Sequence, residues 1–151
     1  MKENRKGGGN GTRLNIDKIN RGVVIDHITA GNSMKIYQYL ELDKLDCSVA
    51  IIKNVRSRKF GKKDIIKIED CIDINMDALG YIDPDTTIIT VENCDITEKV
   101  QVELPSSLTN VLQCRNPRCI TSIERGITHL FDLVDRDGRI YRCRYCEQED
   151  K

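Results

Sequence analysis

The chain is 151 residues long, 39% hydrophobic and 32% charged, which leaves room for one ordinary domain or two small ones. Its 24 basic and 24 acidic side chains cancel, which argues against a general nucleic-acid binder, since such proteins usually carry a clear positive excess. No stretch approaches the roughly 18 consecutive apolar residues of a membrane span, and with no Trp and only two Phe the cores must be aliphatic.

Residues 1–13 are polar and glycine-rich and read as a disordered tail. The N-terminus is not an apolar signal segment, so the expected compartment is the cytoplasm. Thiols stay reduced there, and clustered cysteines favour metal over disulfides. Val23–Ile28 reads as a strand; Gly31, Asn32 and Ser33 offer a turn and a helix cap. Met34, Tyr37 and Leu40, with Ile36 and Leu40 four apart, suit one face of a helix. Cys47–Val55 is a second strand and Arg56–Lys63 a basic loop, followed by a third strand, Asp64–Glu69. Ile74, Ala78 and Leu79 suggest a short helix closed by Gly80 and Asp83–Pro84. Thr86–Glu92 is a fourth strand, Asn93–Cys94–Asp95 a turn, and Ile96–Val102 a returning fifth strand.

The order β-α-β-β-α-β with a trailing strand predicts an α+β, ferredoxin-like sheet with both helices on one face. Pro105–Ser106–Ser107 breaks the pattern. The expected division is a tail over 1–13, an α+β domain over 14–103 and a small zinc-ribbon-like β domain over 104–151. In the last, strands near Thr128–Val134 and Arg139–Tyr141 flank a turn at Asp135–Gly138.

That C-terminal region carries Cys114, Cys119, Cys143 and Cys146, spaced C-x4-C and C-x2-C. Two close pairs on short turns gather four thiolates around one tetrahedral zinc ion. Four thiolates leave no open position for water or substrate, so the predicted role is structural. A nucleobase deaminase would pair C-x-x-C with H-x-E, and neither His27 nor His129 is followed by that pattern. Cys47, Cys71 and Cys94 are isolated and read as small core residues.

Charge is uneven. From Lys53 to Lys67 seven basic residues face only Asp64, whereas Glu69 to Asp85 is acidic with no Lys or Arg. Such runs are usually solvated surface, although the basic one could attract phosphate. Asp26 and His27 end a strand; alternation sends neighbouring side chains to opposite faces, which makes them a poor acid–base pair. They can be plain strand-end polar residues, or Asp26 can accept from a ribose hydroxyl while His27 meets a phosphate. Lys67 and Lys99 can be solvent-face lysines or add charge for a triphosphate. With no GxxxxGK[ST] or GxGxxG loop, a nucleotide would not be held as in P-loop or Rossmann proteins.

Arg21–Ile28 resembles the R-G-[TV]-V-I-D-H-I opening of the aspartate carbamoyltransferase regulatory chain family. Gly61–Glu69 resembles its G-[RK]-K-D-[LI]-I-K-I-E segment. Asn110–Cys114 through Cys119–Ile120, and Cys143–Glu147, resemble its zinc segments. The resemblance runs from about Asn15 to Glu149. It implies a non-catalytic subunit whose N-terminal domain binds CTP or ATP as allosteric effectors and pairs with a second regulatory chain. Its C-terminal domain holds one Zn2+ per chain and docks the catalytic chains. The implied holoenzyme joins two catalytic trimers through three regulatory dimers and contacts neither nucleic acid nor membrane.

Position by position, the resemblance implies that Asp26 and Lys67 contact ribose. His27 and Lys99 lie near the phosphates, and Ile19, Val24, Val91 and Ile96 wall the base. The chain departs from the family pattern at Ile89, where asparagine is common, at Cys94, where tyrosine is common, and at Arg118, where asparagine precedes the second cysteine. The rival reading is a zinc-ribbon nucleic-acid-binding protein contacting through the basic loop, against which the zero net charge weighs.

Overall fold

A computed structural model describes residues 19–59, 61–71 and 73–151; the tail expected over residues 1–13 lies outside the described residues. Strand β1 (Gly22–Thr29) leads through α1 (Ser33–Tyr39) and a 3-10 turn (Leu42–Lys44) to the hairpin β2 (Val49–Ser57) and β3 (Gly61–Glu69). Helix α2 (Met76–Ile82) then precedes a second hairpin, β4 (Thr87–Glu92) and β5 (Asp95–Gln101). The sheet order is β2-β3-β1-β4-β5 with every pairing antiparallel. This is the ferredoxin-like order, with β5 added beyond β4.

Period-two alternation builds the core. Val23, Ile25, Ile66, Ile68 and Ile88 point to one sheet face and are buried beneath Ile36 of α1 and Leu79 of α2. Each such side chain contributes about 1.5–3 kcal/mol by leaving water. The buried stripe of α1 is Ser33 and Ile36 with Tyr37 and Leu40 beside it, whereas Met34 is 44% exposed. Of the residues expected on that face, Ile36, Tyr37 and Leu40 meet the core and Met34 does not; Ser33 takes the position at its start.

Three other expectations are corrected. The basic segment 56–63 is mostly paired strand rather than loop, because β2 runs to Ser57 and β3 begins at Gly61. Gly80 sits inside α2 instead of closing it; a Cβ there would collide with the Glu103 carbonyl oxygen, so glycine permits the close approach. Cys94 is exposed rather than in the core. Asn93 and Cys94 both have positive φ (51° and 65°), as a tight two-residue hairpin turn requires.

The second unit comprises β6 (Ser107–Thr109), α3 (Ile120–Ile123), β7 (Leu130–Asp135) and β8 (Ile140–Cys143), in the sheet order β6-β7-β8. Its core is Leu108, Phe131 and Tyr141 with Cys119 and Cys143. Tyr81 of α2 packs against this second core. Its ring meets Tyr141 edge-on at 5.4 Å, and its hydroxyl donates to Asp150 Oδ2 at 2.8 Å. Asp150 Oδ1 accepts the Tyr141 N–H at 2.7 Å, and the Tyr141 hydroxyl donates to the Pro105 carbonyl at 2.6 Å. These groups form the joint between the two units.

Candidate functional site

Two constellations stand out, one in each unit. In the smaller unit Cys119 precedes α3 at its N-cap, and Cys143 ends β8. The chain then turns tightly, with the Glu147 N–H donating to the Cys143 carbonyl at 2.9 Å, and this turn presents Cys146. All four Sγ atoms lie within 4.8 Å of one another, with Cys114–Cys146 at 3.4 Å and Cys119–Cys143 at 3.8 Å. A tetrahedral ion with sulfurs at about 2.3 Å needs sulfur–sulfur separations of about 3.8 Å. The residues therefore fit a closed metal centre. As free thiols they differ: burial pushes Cys114 up to about 12. Cys146 also feels burial, but N–H donation from Gln148 and contacts with Asn116 and the other thiols outweigh it and draw it down to about 7. The Thr121 hydroxyl donates to Cys119 Sγ at 3.2 Å. Arg144, inside the Cys143–Cys146 turn, is braced by two hydrogen bonds to Asp132 at 2.6 and 2.9 Å.

In the larger unit the register sets a second constellation on the sheet face opposite the helices. Lys67 pairs with Val24, Val24 with Ile89, and Ile89 with Lys99, forming one row across β3-β1-β4-β5. Asp26 lies one alternation further along β1, opposite Thr87. At the other end Gly22 pairs with Val91 and Val91 with Ile96. Ile19 and Val91 are buried yet stand outside the helix-side core, while Ile96 is 65% exposed. Apolar residues thus mark one end of the face, Lys67 and Lys99 flank its middle, and Asp26 lies toward the other end.

The relation between Asp26 and His27 differs from the alternation rule. Ile25 opposes Ile66 and Ile28 opposes Asp64, so two residues of β1 face the single Ile65 of β3. His27 absorbs this bulge with a left-handed backbone, φ 57°. The extra residue keeps both Ile25 and Ile28 in the core and puts Asp26 and His27 side by side. His27 Nδ1 lies 3.8 Å from Asp26 Oδ2.

Lys63 is the residue that sequence reasoning missed. Its Nζ sits 2.8 Å from Asp26 Oδ1, and both side chains are largely shielded. Burial alone would raise the Asp26 pKa, but the Lys63 bond, the His27 N–H at 2.6 Å and the nearby charges outweigh it and hold the carboxyl below its ordinary value. Asp26 is therefore an ionised acceptor at neutral pH. The signal for Lys63 was its place in Lys62–Lys63–Asp64, which reads as surface until the bulge is known.

Residues 14–103 match the family described as aspartate carbamoyltransferase regulatory chain, allosteric domain, and residues 106–151 match that chain's metal binding domain. The chain belongs to the aspartate carbamoyltransferase regulatory chain family. The regulatory chain of Clostridium botulinum is 52% identical, over 89% of this chain and 92% of its own length. That of Clostridium tetani is 50% identical, over 89% and 94%, and that of Bifidobacterium longum 42% identical, over 91% and 99%. Membership makes this a non-catalytic regulatory subunit and makes the four-cysteine cluster a structural metal centre. Among the described residues no helix is long and apolar enough to cross a membrane.

Proposed function

We propose that this subunit senses CTP and ATP and passes the signal to the catalytic chains of aspartate carbamoyltransferase, in the cytoplasm. The effector lies on the open sheet face of residues 14–103. Its base sits among Ile19, Val24, Val91 and Ile96; its ribose meets Asp26 and Lys67; its phosphates meet His27 and Lys99. Residues 104–151 hold one Zn2+ through Cys114, Cys119, Cys143 and Cys146 and dock the catalytic chains. Regulatory chains pair as dimers, three of which join two catalytic trimers.

The observation that carries the reading is the single row Lys67–Val24–Ile89–Lys99 with Asp26 and His27 beside it. Two cations flanking an apolar pair, with an ionised carboxylate one alternation further along, suit a nucleoside triphosphate. The ionised Asp26 can accept from a ribose hydroxyl, and the lysines supply positive charge where phosphates need it. Zinc is preferred for the metal because an all-thiolate tetrahedral set suits zinc or iron–sulfur chemistry. Here the second core is so small that the ion must help hold it.

A nucleotide can shift the holoenzyme only by binding its two states unequally, a coupling of typically about 1–3 kcal/mol. The test is reconstitution: the chain is mixed with catalytic trimers, and the transferase rate is followed with CTP, ATP or neither. A nucleotide-dependent rate is expected. An assembled complex whose rate ignores both nucleotides would refute the sensing role, and metal analysis of the same complex checks for one zinc per chain.

A further inference from the structure

We propose that the β2–β3 hairpin is an electrostatic arm that draws polyphosphate anions toward the sheet-face site. This rests on the nucleotide-binding reading above and adds how the effector arrives. Strand β1 ends at Thr29, opposite Lys63. Beyond that point β2 and β3 continue alone as a two-stranded ribbon, pairing Val55 with Lys63, Arg56 with Lys62 and Ser57 with Gly61. Arg56, Arg58, Lys59 and Lys62 are exposed on this ribbon, Lys53 is exposed just before it, and no acidic residue lies between Lys53 and Lys63. The next acid, Asp64, makes no ion pair with these side chains. Asp64 is fully buried, and its two oxygens accept the N–H groups of Gly31 and Asn54.

Two features favour an anionic ligand over a merely soluble surface. First, Arg56 and Lys62 stand directly opposite each other, and like charges in that relation destabilise a strand pair. Among the described residues Lys53, Arg56, Arg58 and Lys62 form no ion pair with a carboxylate. The fold gains nothing from the arrangement. Second, the ribbon grows from the charged end of the site: Lys63 at its base is the cation on Asp26. From the Gly22–Val91 pair to Asp26 is four residues, about 13 Å at about 3.3 Å each. A nucleotide with its base among Ile19 and Val91 therefore points its phosphates toward His27 and the arm. Lys62 stands three residues beyond Ile65, the β3 residue that faces Asp26 and His27, and by alternation shares the sheet face of Ile66. At about 3.3 Å per residue the Arg56–Lys62 pair is about 10 Å out, comparable to the screening length of about 8 Å at physiological salt, so it acts through its field and not by contact. A field of this kind acts on the approach of the anion, and focused charge can raise association rates from about 10-fold upward.

The experiment compares the full chain with its Arg56→Gln/Lys62→Gln variant. Association and dissociation rates of CTP are measured by rapid mixing at low and high salt, and cytidine serves as the uncharged control. The expected result is a several-fold lower CTP association rate at low salt. The dissociation rate and cytidine binding should stay unchanged, and the difference should vanish at high salt. The charge-keeping variant Arg56→Lys/Lys62→Arg should behave as the parent, which separates charge from folding. An unchanged CTP association rate in a folded glutamine variant overturns the arm. If the parent chain binds neither CTP nor ATP, the nucleotide site itself is wrong and the arm falls with it. If the glutamine variant keeps its CTP kinetics but loses binding of a short oligonucleotide, the ribbon is a nucleic-acid contact instead.

Discussion

Tyr81→Phe tests the joint between the two units. The substitution keeps the ring against Tyr141 and removes only the hydroxyl that donates to Asp150 at 2.8 Å. A hydrogen bond to a charged group is worth about 1.5–3 kcal/mol. Two facts place Tyr81 at or below the low end. Asp150 keeps the Tyr141 N–H on its other oxygen. A cavity of about 330 Å³ lined by Tyr39, Tyr81, Arg115 and Asp150 adjoins the bond, so water can rehydrate the abandoned oxygen. The expected loss is about 1 kcal/mol.

A double-mutant cycle with Asp150→Ala isolates the bond, read by denaturant unfolding of the metal-loaded chain. A coupling energy of about 1 kcal/mol is expected, and additivity within about 0.3 kcal/mol would refute the bond's role. Burial first, and then the Asp150 bond and charge, raise the Tyr81 pKa above its ordinary value. Tyr81 therefore remains a protonated donor at neutral pH. Its contribution is complete below the unfolded tyrosine value near 10 and is lost as pH rises through the higher folded value. In the reconstituted holoenzyme the same Tyr81→Phe change should shrink the rate response to nucleotide while leaving nucleotide affinity of the free chain intact. An equal loss of both would place Tyr81 in the binding site rather than in the joint.

Lys99→Ala is expected to weaken CTP about tenfold, the loss of one charge-assisted contact of about 1.4 kcal/mol, with cytidine little changed; equal weakening of both in calorimetry would remove Lys99 from the phosphates. Chelating the metal, or Cys114→Ala, should melt the smaller unit, since two of its five core residues, Cys119 and Cys143, are ligands. Amide exchange would then rise across β6–β8, and catalytic-chain assembly would fail while nucleotide binding survives. Asp26→Asn should flatten the acid limb of stability. The Asp26 carboxyl is held below its ordinary value, so its contribution is present above the unfolded value near 4 and is lost as pH falls through the folded one. A variant that unfolds with the parent's pH profile below 4 would contradict that.

Periodicity carried the larger fold because its strands are long and their alternating isoleucines leave one choice of inner face. The cysteine spacing carried the metal centre because the chemistry of four thiolates is local. Four features were not legible. Strand β6 is only three residues long and follows Pro105, too short for any period to register. The bulge at His27 is invisible to an alternation rule, because Val23–Ile28 reads as an unbroken strand; its consequence, Asp26 beside His27, depends on pairing with β3. Lys63 joined the site for the same reason, through a partner 37 positions earlier in the chain. Gly80 looked like a helix terminator because its close neighbour, Glu103, is distant in sequence.

The path between the two constellations is short and largely covalent. Asp83, at the end of α2, is 2% exposed; its Oδ2 accepts the Thr29 N–H at 2.7 Å, and its carbonyl takes the Thr86 hydroxyl. Thr29 follows His27 by two residues, so a ligand that moves the bulge pulls on the helix end. Gly80 and Tyr81 lie on that same helix and meet Pro105 and Asp150 across the joint. This continuity makes a discriminating prediction. Asp83→Asn keeps the side chain's shape and a carbonyl oxygen that can still accept from Thr29, while removing its charge. It should reduce the rate response to nucleotide in the holoenzyme more than it reduces CTP affinity in the free chain. If response and affinity fall together, Asp83 only supports the site. If neither changes in a folded variant, the signal reaches the smaller unit without passing through the charged end of α2.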